Sequence, residues 1–159
     1  MTDLYLPDAA ATHALGVELG RRCGAGDVLA AEGPLGAGKT SLAQGLARGL
    51  GVPADHYVNS PTYAILQIHP GRVPFCHVDL YRIEDPDEAY GLGLEESVGT
   101  DGVAYVEWPR RLPDLIPPDA LWIRLTPEGT GRRIVLSAQG GRGARILEAF
   151  AAARKTPSS

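Results

Sequence analysis

Gly33-Pro34-Leu35-Gly36-Ala37-Gly38-Lys39-Thr40 satisfies the pattern G-x-x-x-x-G-K-[ST] at every fixed position. The chemistry these residue types can do at this spacing is capture of a polyphosphate. Successive backbone N–H groups from about Gly36 to Thr40 are expected to converge on one concavity, backed by the positive end of the helix that follows. Glycine allows the close backbone approach. Lys39 supplies a compact cation for the β- and γ-phosphates, and the Thr40 hydroxyl is a hard oxygen ligand for magnesium. Ser41 borders the same cradle as a spectator. Lysine is otherwise scarce: Lys39 and Lys155 are the two in the chain, against thirteen arginines.

Hydrolysis needs more than a cradle, because a metal has to be held and a water oriented. Two acids close apolar runs: Glu107 ends Val103-Ala104-Tyr105-Val106, and Asp79 ends Phe75-Cys76-His77-Val78. Ligands of open α/β sheets bind beyond the carboxyl ends of parallel strands, where Glu107 belongs if its strand runs parallel to the one entering the loop. Either acid alone also reads as a helix cap or surface carboxylate; the loop upstream favours the functional reading. Lys39, Asp79 and Glu107 are therefore the candidate catalytic residues. Thr40 and Glu107 are assigned around magnesium, and Asp79 is a water-orienting or outer carboxylate able to exchange roles with Glu107. His77, with no second histidine at ligand spacing, reads as a structural or hydrogen-bonding residue. Asn59-Ser60-Pro61-Thr62 admits two readings, a switch loop facing the γ-phosphate or an ordinary turn.

These groups need a scaffold, and the hydrophobic patterning supplies one. Leu4 to Leu6 suggests a short edge strand, and Pro7-Asp8 opens a helix carrying Ala11, Leu15 and Leu19 on one face until Gly24-Ala25-Gly26. Val28 to Ala31 reads as a buried parallel strand running into the loop, followed by a helix with Leu42, Leu46 and Leu50, stopped by Gly51 and Pro53. Tyr63–Ile68 and Val73–Val78 flank Pro70-Gly71 as an antiparallel pair. Asp85 to Leu92 reads as a short helix and Gly102 to Glu107 as a buried strand. Leu121–Leu125 and Ile134–Leu136 bracket Gly129-Thr130-Gly131 as two more strands, and a final helix from about Ala144 to Ala153 turns Ile146, Leu147 and Phe150 inward. The expected fold is α/β: a single three-layer domain over residues 1–155 of the P-loop NTPase kind, its mixed parallel and antiparallel sheet flanked by helices, with a frayed tail over 156–159.

Composition narrows the function. The 159 residues suit one core, and a net charge of −4 without a Lys/Arg run argues against independent nucleic-acid binding. The two cysteines, Cys23 and Cys76, form no C-x-x-C pair and read as buried thiols. The first residues carry neither a basic leader nor an export-length apolar stretch, and no run could span a bilayer, so a cytoplasmic location without membrane partners is expected. Asn-Lys-x-Asp is absent, which removes the usual guanine reader and makes ATP the expected nucleotide. A small-molecule kinase stays as the alternative, with Arg110-Arg111 or Arg132-Arg133 as a clamp for a second phosphate.

Taken in order, Gly33 to Thr40, Asn59-Ser60-Pro61-Thr62-Tyr63, His77-Val78-Asp79-Leu80-Tyr81-Arg82 and Val106-Glu107-Trp108 closely resemble the TsaE family, also called YjeE. The likeness covers most of the chain and weakens before Gly16 and after Arg133. It implies an ATPase, dependent on Mg2+, that is required for N6-threonylcarbamoyladenosine beside the anticodon of tRNAs reading codons that begin with A. It further implies action with TsaD and TsaB, and tRNA met only through that complex. By the family motif Thr40 and Glu107 match magnesium positions, Asp79 the essential acid, and Ser60 and Thr62 a switch-like loop. Arg132 aligns with a nucleotide-contacting arginine. The resemblance departs at Pro34, where the family usually carries an acid; proline removes one N–H there, upstream of the phosphate-facing donors.

Overall fold

Short continuous apolar runs can bury both faces of a sheet, and the three that end at Glu32, Asp79 and Glu107 do so around the loop. The computed structural model describes residues 1–56, 58 and 65–155, with Lys155 described by its backbone alone. Its strands are β1 (Thr2–Leu6), β2 (Val28–Glu32), β3 (Leu66–His69), β4 (Phe75–Asp79), β5 (Val103–Glu107), β6 (Leu121–Glu128) and β7 (Gly131–Ser137). They form one sheet in the order β1-β7-β6-β2-β5-β4-β3. The central pairs β6–β2, β2–β5 and β5–β4 are parallel, whereas β3–β4, β6–β7 and β1–β7 are antiparallel. The mixed sheet expected from the sequence is thus observed.

Alternation sorts each central strand between two cores. Leu29 and Ala31 of β2, Phe75 of β4, Tyr105 of β5 and Ile123 of β6 face α1 (Ala9–Arg22), α2 (Lys39–Gly49) and α5 (Gly141–Lys155). Val28, Val78, Ala104 and Val106 point the other way, onto the shorter helices α3 (Pro86–Tyr90) and α4 (Leu94–Ser97) and onto Leu112 and Leu115. Full burial of such side chains stabilises the fold by about 1.5–3 kcal/mol each.

Local chemistry sets the boundaries. Asp8 caps α1 by accepting from the Ala11 N–H at 2.8 Å. The short helix expected over Asp85–Leu92 is observed as α3, which ends at Tyr90, and a further helix not expected from the sequence, α4, follows after Gly91 and Gly93, the latter with a φ of 70°. The strand expected from Val73 starts at Phe75, after a proline that cannot donate to a ladder. The two C-terminal strands run longer than their apolar stretches, to Glu128 and from Gly131, because Arg132 and Arg133 continue the β6–β7 pairing that their polarity obscured. The last helix begins earlier than expected, at Gly141. The part of the expected hairpin strand at Tyr63 and Ala64 and the tail at 156–159 lie outside the described residues.

α1 and α2 meet backbone to backbone. A Cβ on Gly45 would stand 2.1 Å from the His13 carbonyl oxygen, and one on Gly16 would stand 2.5 Å from that of Leu42. Gly20 and Gly49 repeat the contact one turn along, at 2.5 Å from the Leu46 oxygen and 2.4 Å from the Val17 oxygen. Four glycines therefore let the helix that begins at Lys39 lie flush on its neighbour.

Candidate functional site

The loop from Gly33 to Thr40 joins the carboxyl end of β2, the middle strand, to the first turn of α2. Its entry is tight, since a Cβ on Gly33 would come within 2.6 Å of the Leu125 carbonyl oxygen. Ala37 closes a turn on Pro34 with an N–H to O distance of 3.2 Å and is buried beneath the loop. Gly36 and Gly38 have φ of 81° and 109°, in the region that favours glycine. Pro34, Leu35 and Gly36 are exposed at the loop's outer edge, so the proline takes its N–H from the rim.

Lys39 is almost buried, and three contacts hold it. Its Nζ donates to the Gly33 carbonyl, closing the loop on itself, and sits 3.9 Å from the centroid of the Trp108 ring. Its own carbonyl accepts a hydrogen bond from the Tyr105 hydroxyl at 2.8 Å. Desolvation pushes the ammonium's pKa down, and the nearby Glu107 and Asp79 charges oppose that shift.

Parallel pairing of β4 and β5 sets Asp79 directly beside Glu107, one register step wide. The two acids expected at strand ends therefore stand abreast, at the carboxyl edge the sequence assigns them. Glu107 is 2 % exposed and its Oε2 lies 2.6 Å from Nε2 of the fully buried His77. Asp79 is half-buried; desolvation raises its carboxyl pKa, partly offset by the Tyr81 N–H that it accepts at 2.9 Å. Gly36, Gly38, Lys39, Thr40 and Ser41 line a cleft of about 320 Å³ together with Asp79 and Glu107.

Arg132 reaches this cleft from β7. Its Nη1 donates to the Thr12 hydroxyl at 3.1 Å, and a Cβ on Gly38 would lie 2.9 Å from that nitrogen. The other arginines proposed as a second clamp are engaged elsewhere. Arg110 pairs with Glu32, and Arg133 bonds Asp3 at 2.9 Å and Glu128 at 3.0 Å. Arg111 lies over the Tyr81 ring, 5.6 Å from its centroid. Ser60 and Thr62 fall outside the described residues.

The sequence places Trp108 in the Val106-Glu107-Trp108 motif but assigns it no role, although its position next to Glu107 could have flagged it. Among the described residues it is the one non-glycine with positive φ, at 57°. That left-handed turn, which costs about 1–3 kcal/mol, folds the indole back over the lysine that Glu107 neighbours. Tyr81 packs against it in a tilted arrangement, with centroids 4.9 Å apart and 48° between the planes.

The fold and the loop place the chain among α/β proteins whose middle parallel strand enters a helix through a glycine-rich turn, with acids at the ends of the adjacent strand and the strand beyond it. A family model described as "Threonylcarbamoyl adenosine biosynthesis protein TsaE" matches residues 6–135. The chain belongs to the TsaE family. It is 41% identical over 125 residues to the tRNA threonylcarbamoyladenosine biosynthesis protein TsaE of Bacillus subtilis, covering 77% of each chain. It is 42% identical over 118 residues to the protein of that name from Nostoc, covering 71% of each. The crystal structure of Bacillus subtilis YdiB superposes with a TM-score of 0.80 at 28% identity, covering 97% of this chain and 96% of that one.

Proposed function

We propose that this protein binds ATP with Mg2+ and hydrolyses it in support of N6-threonylcarbamoyladenosine formation in tRNA, acting with TsaD and TsaB. The observation that carries the reading is the pair Asp79 and Glu107, abreast at the ends of β4 and β5 and lining one cleft with Lys39 and Thr40. The family name supports the tRNA modification, and the acidic chain supports a role in which other proteins hold the RNA.

The donors suit magnesium. Thr40 offers a hydroxyl and Glu107 a carboxylate, both hard oxygens, and Asp79 stands within one strand spacing. Among the described residues no group of three or more His, Cys, Asp or Glu could form a dedicated cage, which agrees with an ion shared between one or two protein ligands and substrate phosphates. When bound, Mg2+ would neutralise charge on the phosphate oxygens. Lys39 exchanges the Gly33 carbonyl for phosphate oxygens as the nucleotide enters, so the ammonium is already in position and largely desolvated. Arg132, braced by Thr12 against Gly38, adds a second cation at the loop's helix end. Asp79, whose burial makes it a stronger base than an exposed aspartate, accepts a hydrogen bond from the attacking water.

The engagement of Arg110 and Arg133 by acids favours hydrolysis over transfer to a second phosphorylated substrate. The test is phosphate release from ATP measured with and without TsaB and TsaD. Slow release alone and marked acceleration by the pair is the expected result. Equal rates would overturn the partner-dependent reading, and phosphate appearing on an acceptor molecule would indicate a kinase.

A further inference from the structure

The buried pair His77–Glu107 is more than packing between strands. His77 lies on β4 directly across from Tyr105 of β5, and its ring is fixed on two sides. Phe75 stacks on it at 6.0 Å with 23° between the planes, and Tyr105 tilts over it at 5.5 Å. Fixed in this way, the ring aims Nε2 at Glu107 Oε2 over 2.6 Å, with both side chains out of solvent. Its other nitrogen, Nδ1, is buried and has no hydrogen-bond partner among the described residues. An unshared lone pair there is tolerated more readily than an orphaned buried N–H, so the proton belongs on Nε2.

We propose that His77 is the positioning residue for the Glu107 carboxylate, donating from Nε2 so that one oxygen is pinned and the carboxyl plane is fixed for divalent-cation binding at the loop. The proposal rests on the reading of Glu107 as a metal ligand. A carboxylate at the end of a strand can rotate about its last bond, and a ligand that must first be ordered binds its cation less tightly. Outer partners that orient a ligand are worth roughly 10–100-fold in metal affinity or activity. Tyr105 connects the two halves of the device, packing on the imidazole while its hydroxyl holds the Lys39 carbonyl. The acid and the lysine are thereby referenced to one rigid aromatic layer.

The experiment compares wild type with His77→Phe, which keeps the ring volume and loses the donor, and His77→Gln, whose amide N–H reaches toward the Nε2 position. Mn2+ binding to the full chain in the presence of a non-hydrolysable ATP analogue is followed by electron paramagnetic resonance. Nucleotide affinity without metal is measured in parallel. His77→Phe should weaken Mn2+ by roughly 10–100-fold and leave metal-free nucleotide affinity unchanged, and His77→Gln should recover most of the loss. In turnover assays with TsaB and TsaD the Phe variant should lose kcat at a nearly constant KM for ATP. Wild-type Mn2+ affinity in folded His77→Phe, or a Gln variant as weak as Phe, would overturn the proposal. Imidazole nitrogen resonances of wild-type His77 decide the matter even if the Phe variant does not fold: a proton on Nε2 supports it, and a bare Nε2 overturns it. Glu107→Ala separates the two layers of the argument. If that variant keeps full Mn2+ affinity, the metal-site reading fails; if it loses affinity while His77→Phe does not, the positioning role alone fails.

Discussion

At the scale of single residues, the aromatic ring over the lysine offers a direct reporter. Trp108 and Trp122 are the two tryptophans of the chain, and Trp108 touches the Lys39 ammonium. If Lys39 leaves Gly33 for a phosphate, the field on the indole changes and its emission shifts. ATP titration should therefore alter fluorescence in Trp122→Phe and leave Trp108→Phe silent, and the reverse pattern would remove Trp108 from the site. The thiols give a second residue-level expectation. Burial pushes Cys23 up to about 12, with Asp27 adding to the rise, and burial raises Cys76 as well. Both should resist alkylation at pH 8 in the native protein and react once the chain is unfolded; rapid native labelling of Cys23 would contradict its packing. Much of this chemistry was legible in the sequence because each part declared itself locally: the loop by its spacing, the two acids by ending apolar runs, the cysteines by their isolation. Trp108 was not, because a left-handed turn and a cation–π contact leave no period or composition to read.

The elements tell a related story about what positions the loop. α2 begins at Lys39, so any displacement of that helix moves the site, and its register depends on glycine contacts with α1 rather than on interdigitated side chains. Gly45→Ala puts a methyl group 2.1 Å from the His13 carbonyl oxygen and 2.9 Å from the Gly16 Cα, atoms that cannot rotate away. Helix propensity favours alanine here by roughly 1 kcal/mol, yet the overlap requires the helices to separate, and overpacking costs about 1–3 kcal/mol or more. Gly45→Ala should therefore lower the urea midpoint and weaken ATP binding together. Ser41→Ala, at the cleft edge on the same helix, should leave stability nearly unchanged. A stabilised Gly45→Ala would show that the two helices do not meet as closely as described. The apolar stripe Leu42, Leu46 and Leu50 revealed the helix itself, but the sequence assigns the four glycines no role. Their meaning is tertiary, since it exists once two helices share a contact line. The same limit explains why α4 went unseen after the expected helix at Asp85–Leu92: it forms where Leu94 and Val98 enter the second core, which no local pattern states.

At the scale of the whole molecule, the sheet is a wall between two apolar cores, and its far edge carries a titratable group that the site does not use. His69 ends β3, is 8 % exposed, and packs at a tilt against Phe75 with centroids 6.1 Å apart. Burial lowers its pKa from 6.5, and the neighbouring His77, His56 and Arg48 lower it further. A histidine depressed in the folded state is protonated more readily in the unfolded chain. As pH falls below about 6.5 the unfolded state gains protons first, so folding stability drops until the folded-state value is passed. The contribution is fully present above pH 6.5 and is lost through the window beneath it. Asp79 acts in the opposite sense, because its raised pKa makes the folded state the better proton acceptor as pH falls toward 3.8. The net slope therefore reflects both, and a difference between variants isolates the histidine. Urea midpoints of wild type and His69→Gln measured at pH 7.5 and 5.5 should show the larger drop in wild type. Equal drops would mean that β3 opens enough to hydrate His69, and hence that the edge of the sheet beside His77 and Glu107 is less firmly closed than its packing indicates.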